Sequence, residues 1–174
     1  MSASHIIDSP VGPLMLCASE RGLTRLEFVE GRRSSASEPE ATPDAELRED
    51  AAAEAVLQLE EYFGGRRRAF GLPLHFEGTP FQRRVWEAIG RIPYGCTASY
   101  ARLALDAGAP NAYRAAGTAC GANPIAVIVP CHRVVGSDGG LHGFGGGLST
   151  KTWLLRHEGA LLKAPRAPRR LVLV

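Results

Sequence analysis

The spacing of apolar positions changes character several times along the chain. It begins with short runs: "HIIDSPVGPLMLCAS" places a Pro-Val-Gly turn between two apolar stretches. "GLTRLEFVE" follows, with Leu23, Leu26 and Phe28 as buried positions, so the opening predicts short strands joined by tight turns. "GRRSSASEPEATPDAE", polar and rich in Ser, Pro and Glu, predicts an exposed linker. From about Asp44 to Phe63 the apolar residues Ala52, Val56, Leu59 and Phe63 recur at helical spacing, and Gly64-Gly65 stops the helix. "RAFGLPLHFEG" predicts one more strand, completing a small α/β unit.

At Thr79 the pattern becomes helical. "TPFQRRVWEAI" has Thr79 as N-cap, Pro80 at the first helical position and Gln82 placed for a capping box. Phe81, Val85, Ala88, Ile89 and Ile92 then share one face. A turn at "PYGCTA" leads to Ser99, the cap of a second helix carrying Leu103, Ala104 and Ala107. Pro110 is expected to open a third, running to Asn123, so this half resembles a helix-turn-helix. Beyond it, "IAVIVP" predicts a buried strand ended by Pro130, and "STKTWLLRHEG" a helix capped by Ser149. The third helix is unusual. Apart from Tyr113 and Arg114, "AYRAAGTACGA" holds only small residues, and each of its glycines costs about 1 kcal/mol relative to Ala. Such a bare surface fits tight packing on a neighbouring helix, or close approach to nucleic acid with Arg114 as a cationic arm.

With 174 residues, 45% hydrophobic and 22% charged, the chain has the composition of a soluble globular protein. No apolar run approaches the ~20 residues that span a bilayer. "MSASHIIDSPVG" is not a signal peptide, so a cytoplasmic location is expected. Cys17, Cys96, Cys120 and Cys131 form no C-x-x-C pair, which argues against a disulfide framework or a zinc knuckle. The net charge of +2 is unevenly spread. Residues 1–78 carry 8 Lys/Arg against 14 Asp/Glu, net −6, and residues 79–174 carry 12 against 4, net +8. The basic half fits a polyanionic partner or a solvated charged face.

The candidate chemistry is centred on Cys131. It stands where an apolar run meets irregular chain, a common place for a reactive residue, although a free cysteine is also a common inert core residue. A thiol with pKa ~8.5 needs help to ionise near neutral pH, and His132 is adjacent. Neighbours on an extended strand point to opposite faces, so direct thiol–imidazole contact needs a sharp turn and a bridging water is the easier geometry. Glu158 follows Leu155 by three positions and Leu154 by four, placing its carboxylate on the core-facing side of its helix. There it would orient His132 and fix its tautomer; the alternative is a glutamate at a frayed helix end. Asn123 would either cap the preceding helix or tie helix, thiol and pocket together. "GGLHGFGGGL" lacks the phosphate-loop pattern and reads as a source of backbone N–H donors, or as room for a flat ligand.

"PCHRVVGSDGGLHGFGGGL" resembles the active-site segment of the O6-alkylguanine-DNA alkyltransferases, the methylated-DNA–protein-cysteine methyltransferases. "FQRRVWEAIGRIPYGCTASYARLA", "YRAAGTACGANPIAVIVPCHRV" and "KTWLLRHEG" are similar to the family's other signatures in the same order, covering Thr79 to Gly159. The leading half matches mainly through "DSPVGPLML". The resemblance implies an α/β protein: a small ribonuclease-H-like α/β domain over residues 1–78, then a winged helix-turn-helix-like DNA-binding and alkyl-acceptor domain over 79–162. A basic tail occupies 163–174.

By the same resemblance Cys131 is the alkyl acceptor, His132 deprotonates it through a water, Glu158 orients His132 and Asn123 holds the assembly. Tyr100 helps turn the nucleotide out and serves as hydrogen donor to the departing guanine. Arg114 is the finger that replaces the nucleotide in the stack, and Ala115, Ala116, Gly117 and Arg133 complete the DNA contact. Val134, Phe144 and Gly145 line the substrate pocket. The implied partner is double-stranded DNA carrying O6-alkylguanine, with O4-alkylthymine as a further candidate substrate, bound through the minor groove by a monomer. No cofactor and no metal are implied. Phe144 stands where the family usually has tyrosine, and Ser19 and Thr24 stand where zinc-holding members have ligands. Two other readings remain: a lesion-binding protein that performs no chemistry, and a cysteine hydrolase.

Overall fold

The computed structural model describes residues 3–29 and 43–160; most of the expected linker and all of the basic tail lie outside them. Three strands, β1 (Ala3–Ile7), β2 (Leu14–Ser19) and β3 (Gly22–Phe28), form an antiparallel meander in the order β1-β2-β3. Period-2 alternation drives Leu14, Leu16 and Ala18 of β2 inward, where they are fully buried beneath α1 (Pro43–Phe63). The buried stripe of α1 is Ala52, Ala55, Leu59 and Tyr62. Val56 and Phe63, expected in that stripe, lie half-buried at its edge.

The strand expected over "RAFGLPLHFEG" is absent. Only Leu74 bridges to Leu23, with Leu23 N–H donating to Pro73 O at 2.9 Å and His75 N–H to Leu23 O at 2.9 Å. Pro73 has no N–H to donate, so the ladder cannot lengthen there.

Three helices follow: α2 (Pro80–Gly90), α3 (Tyr100–Asp106) and α4 (Tyr113–Gly121). The Thr79–Gln82 capping box forms in both directions, and Ser99 caps α3 by accepting from Arg102 N–H at 3.0 Å. Val85 and Ile89 of α2 pack with Leu103 and Ala104 of α3 in the same core as Leu16 and Leu59. The third helix starts at Tyr113 rather than Pro110, with Pro110 and Asn111 in a turn and no side-chain cap. Its small residues let α2 and α3 pack closely: Trp86 of α2 donates its indole N–H to Ala119 O of α4 at 2.8 Å.

"IAVIVP" is not a strand. Residues 126–129 turn tightly, and Val127 sits at φ 68°, a left-handed conformation that a β-branched residue rarely adopts. Only Ile125 keeps a strand contact, a bridge to Leu26 of β3. A 3-10 turn at Cys131–Arg133 leads into β5 (Val134–Val135), which pairs in parallel with β4 (Ala98–Ser99). The last helix, α5 (Leu148–His157), begins after Gly147, so Ser149 is inside it and not its cap. No described helix is long and apolar enough to cross a membrane.

Candidate active site

Asn123 makes the turn that presents Cys131. Its Nδ2 donates to Val129 O at 2.8 Å and its Oδ1 accepts from Ile125 N–H at 3.0 Å, clamping both ends of the 124–129 segment. One short polar side chain thus replaces the ladder that a strand would have supplied. The same segment is stitched to β3, where Leu26 N–H donates to Pro124 O and Ala126 N–H to Leu26 O, each at 2.9 Å.

Cys131 is buried in the wall of a cavity of about 280 Å³. Tyr100, Gly117, Cys120 and Gly121 line one part; Gly143, Phe144 and Gly145 line another; Leu26, Glu27 and Phe28 of β3 line the rest. Burial pushes the Cys131 thiol up, while the Asn123 amide and the Lys151 ammonium pull the other way. Burial likewise takes Tyr100 and Cys120 to about 12, so both keep their protons near neutral pH.

His132 Nε2 lies 2.8 Å from Glu158 Oε1 with both side chains fully buried. The carboxylate has further partners. Arg133 Nε donates to Oε2 at 2.8 Å, Arg133 Nη2 to Oε1 at 2.9 Å, and Tyr62 Oη to Oε1 at 2.7 Å. Burial alone would raise Glu158, but donation from His132, Arg133 and Tyr62 overcomes it and holds the carboxyl well below the usual range. Because Arg133 already neutralises that charge, burial lowers the His132 pKa and keeps the imidazole neutral. The network assigns the proton to Nε2, leaving Nδ1 as a lone pair that has no partner among the described residues. A buried neutral base is thus held next in sequence to the thiol, in a 3-10 turn and not on an extended strand.

The expected site residues separate clearly. Cys131, Asn123, Tyr100, Gly117, Phe144 and Gly145 meet at the cavity, and His132 and Glu158 stand behind Cys131. Arg114 and Ala115 are exposed on α4, where Arg114 lies over the Tyr113 ring at 5.8 Å. Three others lie away from the cavity. Arg133, expected on DNA, is buried with its guanidinium forked on Glu158 and Nη1 donating to Ile92 O at 2.6 Å. Ala116, also expected on DNA, is fully buried against the helical core. Val134, expected in the substrate pocket, is buried in β5 and does not line the cavity.

Several functional neighbours were not read from the sequence. Tyr62 reaches Glu158 from α1, and Phe28 and Leu26 reach the cavity from β3. Lys151 of α5 is buried, donating from Nζ to Val134 O at 2.7 Å and to His142 O at 3.2 Å. Burial lowers its pKa, and interaction with the Cys120 and Cys131 thiols opposes that. Tyr62 carried a legible signal: a polar-tipped aromatic three positions after the buried Leu59 needs a partner for its hydroxyl. Ser19 and Thr24 take local roles, Ser19 Oγ donating to Gly22 O at 3.3 Å and Thr24 Oγ1 to Cys17 O at 3.2 Å.

Comparison with known proteins identifies the family. The family model described as "6-O-methylguanine DNA methyltransferase, DNA binding domain" matches residues 80–160. The one described as "6-O-methylguanine DNA methyltransferase, ribonuclease-like domain" matches residues 4–76. A methylated-DNA–protein-cysteine methyltransferase of Methanosarcina barkeri is 46% identical over 153 residues, covering 88% of this chain and 94% of that protein. Its namesake in Mycobacterium tuberculosis is 47% identical over 167 residues, covering 96% and 95%. Among solved structures, M. tuberculosis O6-methylguanine methyltransferase superposes with a TM-score of 0.78 at 42% identity, covering 96% of this chain and 97% of that one. The M. tuberculosis protein in complex with DNA gives 0.76 at 46% identity, covering 88% and 91%. With sequence and fold in agreement, this chain belongs to the methylated-DNA–protein-cysteine methyltransferase family.

Proposed function

We propose that this chain repairs O6-alkylguanine in duplex DNA by moving the alkyl group onto Cys131, once per molecule. The observation that carries the reading is the buried neutral His132, held by Glu158 with Nδ1 unpartnered among the described residues, beside a cysteine in a base-sized cavity. The cavity is at or below the small end of ligand sites, which run from roughly 300 Å³ upward, and so suits one base with a small substituent.

A base inside a duplex cannot reach a buried thiol, so the nucleotide must be extruded. Gly117 and Gly121 of α4 border the cavity, and Arg114 projects from the same helix into solvent. A helix this free of bulk can approach the minor groove closely, with Arg114 filling the space the base leaves. The residues assigned to the reaction all come from one chain, which supports a monomer as the acting form. The acceptor must be a free thiol, as all four cysteines are in this structure, which suits a reducing cytoplasm.

In the reaction the Cys131 proton passes through one water to His132 Nδ1. The thiolate attacks the alkyl carbon opposite O6; the S–C bond forms as the C–O6 bond breaks, and the electron pair leaves with guanine. Backbone N–H groups at Phe144 and Gly145 offset the charge growing on the base, and Tyr100 protonates it; solvent then restores the Tyr100 proton and takes up the one His132 received from Cys131. Alkyl cysteine and guanine are the products. A thioether carries no route back to a thiol, so the site is spent.

Mass spectrometry of the intact chain after incubation with an O6-methylguanine duplex tests the proposal. The expected result is one methyl replacing one hydrogen on Cys131, with Cys131→Ala unmodified. An unmodified wild-type chain would sink it.

A further inference from the structure

The glycine-rich loop receives a ring from the other half of the molecule. Phe28 ends β3, and its backbone is fixed by pairing with Leu14 of β2. Just beyond, Val29 N–H donates to Pro13 O at 3.0 Å. The Phe28 side chain reaches across to Phe144, the two rings meeting edge to face with centroids 5.4 Å apart. Its other contact is with bare backbone: a Cβ added at Gly146 would fall 2.9 Å from both Cγ and Cδ2 of Phe28. Glycine at 146 is therefore required by the approach of a ring and not by an unusual dihedral. Phe28 is gripped by two members of the loop while lining the cavity that holds Cys131.

We infer that Phe28 is a specificity-determining residue that sets the size of alkyl group admitted to Cys131. The inference rests on the alkyl-transfer reading above. Phe144 sits on a turn closed by Gly147 N–H donating to Phe144 O at 2.9 Å. The Phe144 turn is flanked by glycines, whereas Phe28 belongs to a paired strand. The sheet therefore sets the position of the Phe144 ring, and the leading half fixes the width of a pocket whose chemistry belongs to the trailing half. With tyrosine absent at 144, the Phe28–Phe144 contact is wholly apolar, so shape and not a hydroxyl governs what fits. Short alkyl groups are the favoured class.

The test compares rates of transfer from two duplexes, one carrying O6-methylguanine and the other O6-benzylguanine, in wild type and four variants. Phe28→Ala widens the pocket and should raise the benzyl-to-methyl rate ratio about tenfold, the scale at which hydrophobic pockets discriminate by size. Phe28→Leu, which keeps most of the bulk, should leave the ratio within about twofold of wild type. Gly146→Ala alone should slow both substrates by displacing the ring. In the Phe28→Ala background the same change should cost little, because the clash is gone. An unchanged ratio in folded Phe28→Ala, or equal cost of Gly146→Ala in both backgrounds, overturns the inference while leaving the function intact. Failure of wild type on both duplexes would overturn the function, and the inference with it.

Discussion

Tyr62 donates its phenolic hydrogen to Glu158 Oε1 at 2.7 Å, joining residues 96 positions apart in sequence. The same oxygen accepts from His132 and from Arg133 Nη2, so three donors share it. Tyr62→Phe removes one donor and leaves the carboxylate otherwise satisfied. The loss should cost about 1–2 kcal/mol in denaturant melts, the usual range for a hydrogen bond to a charged group. It should also make Glu158 a stronger acceptor for His132, raise the imidazole pKa and move the acid limb of the alkyl-transfer rate to higher pH. A stability loss with an unmoved limb would reduce Tyr62 to packing alone.

Arg133 gives a sharper case, since its guanidinium is buried on the Glu158 carboxylate. Removing one partner of a buried pair typically costs about 3–5 kcal/mol, and Arg133→Leu should approach that range in denaturant melts. Arg133→Lys keeps the charge but loses the fork on Glu158 and the bond to Ile92 O, and should recover only part of it. The salt dependence of DNA binding by folded Arg133→Leu should match wild type, whereas a lost phosphate contact would reduce its slope by about one.

Acid should weaken the fold in two stages, with the same sign in each. His132 has a lowered folded pKa, so below its ordinary ~6.5 the unfolded chain binds a proton that the folded chain refuses, and stability falls with pH. Glu158 is also lowered. The stability it contributes is complete above its ordinary ~4.3 and is lost as pH falls from there toward its folded pKa. Denaturant melts between about pH 7 and pH 3 should show a shallow decline followed by a steeper one, with Glu158→Gln lacking the second stage. On the proposed role of His132 as base, alkyl transfer should hold to a lower pH than an unperturbed imidazole allows, because the neutral ring is the form that takes a proton.

What the sequence disclosed follows the range of the forces involved. The caps at Thr79 and Ser99 were legible because donor and acceptor lie three residues apart. The buried faces of α2 and α3 were legible because helical period and burial coincide there. "IAVIVP" misled because Val and Ile suit a strand as well as a buried turn, and the choice was made by Asn123 clamping Val129 O. The pairing of Arg133 and Tyr62 with Glu158 went unread because the partners lie 25 and 96 positions apart. The His132–Glu158 contact was legible in kind; the side chains that β3 brings to the cavity became visible only in the folded chain.

Lys151 shows what a buried cation adds to a thiol. Its ammonium is held between Val134 O and His142 O, which joins β5 to the glycine-rich loop, and its charge favours the Cys131 thiolate against burial. Lys151→Met keeps the volume of the side chain while removing the charge and leaving two carbonyls without their donor. Stability should fall by roughly 1–3 kcal/mol, the cost of unsatisfied buried groups. The decisive measurement is the reaction of Cys131 with iodoacetamide as a function of pH. Without the cation the thiol pKa should rise, so the variant lags at neutral pH and regains ground as pH climbs. A defect of constant size across that range would mean that Lys151 serves only to position the loop. The electrostatic role would then belong to Asn123 and the backbone N–H groups that also favour the thiolate.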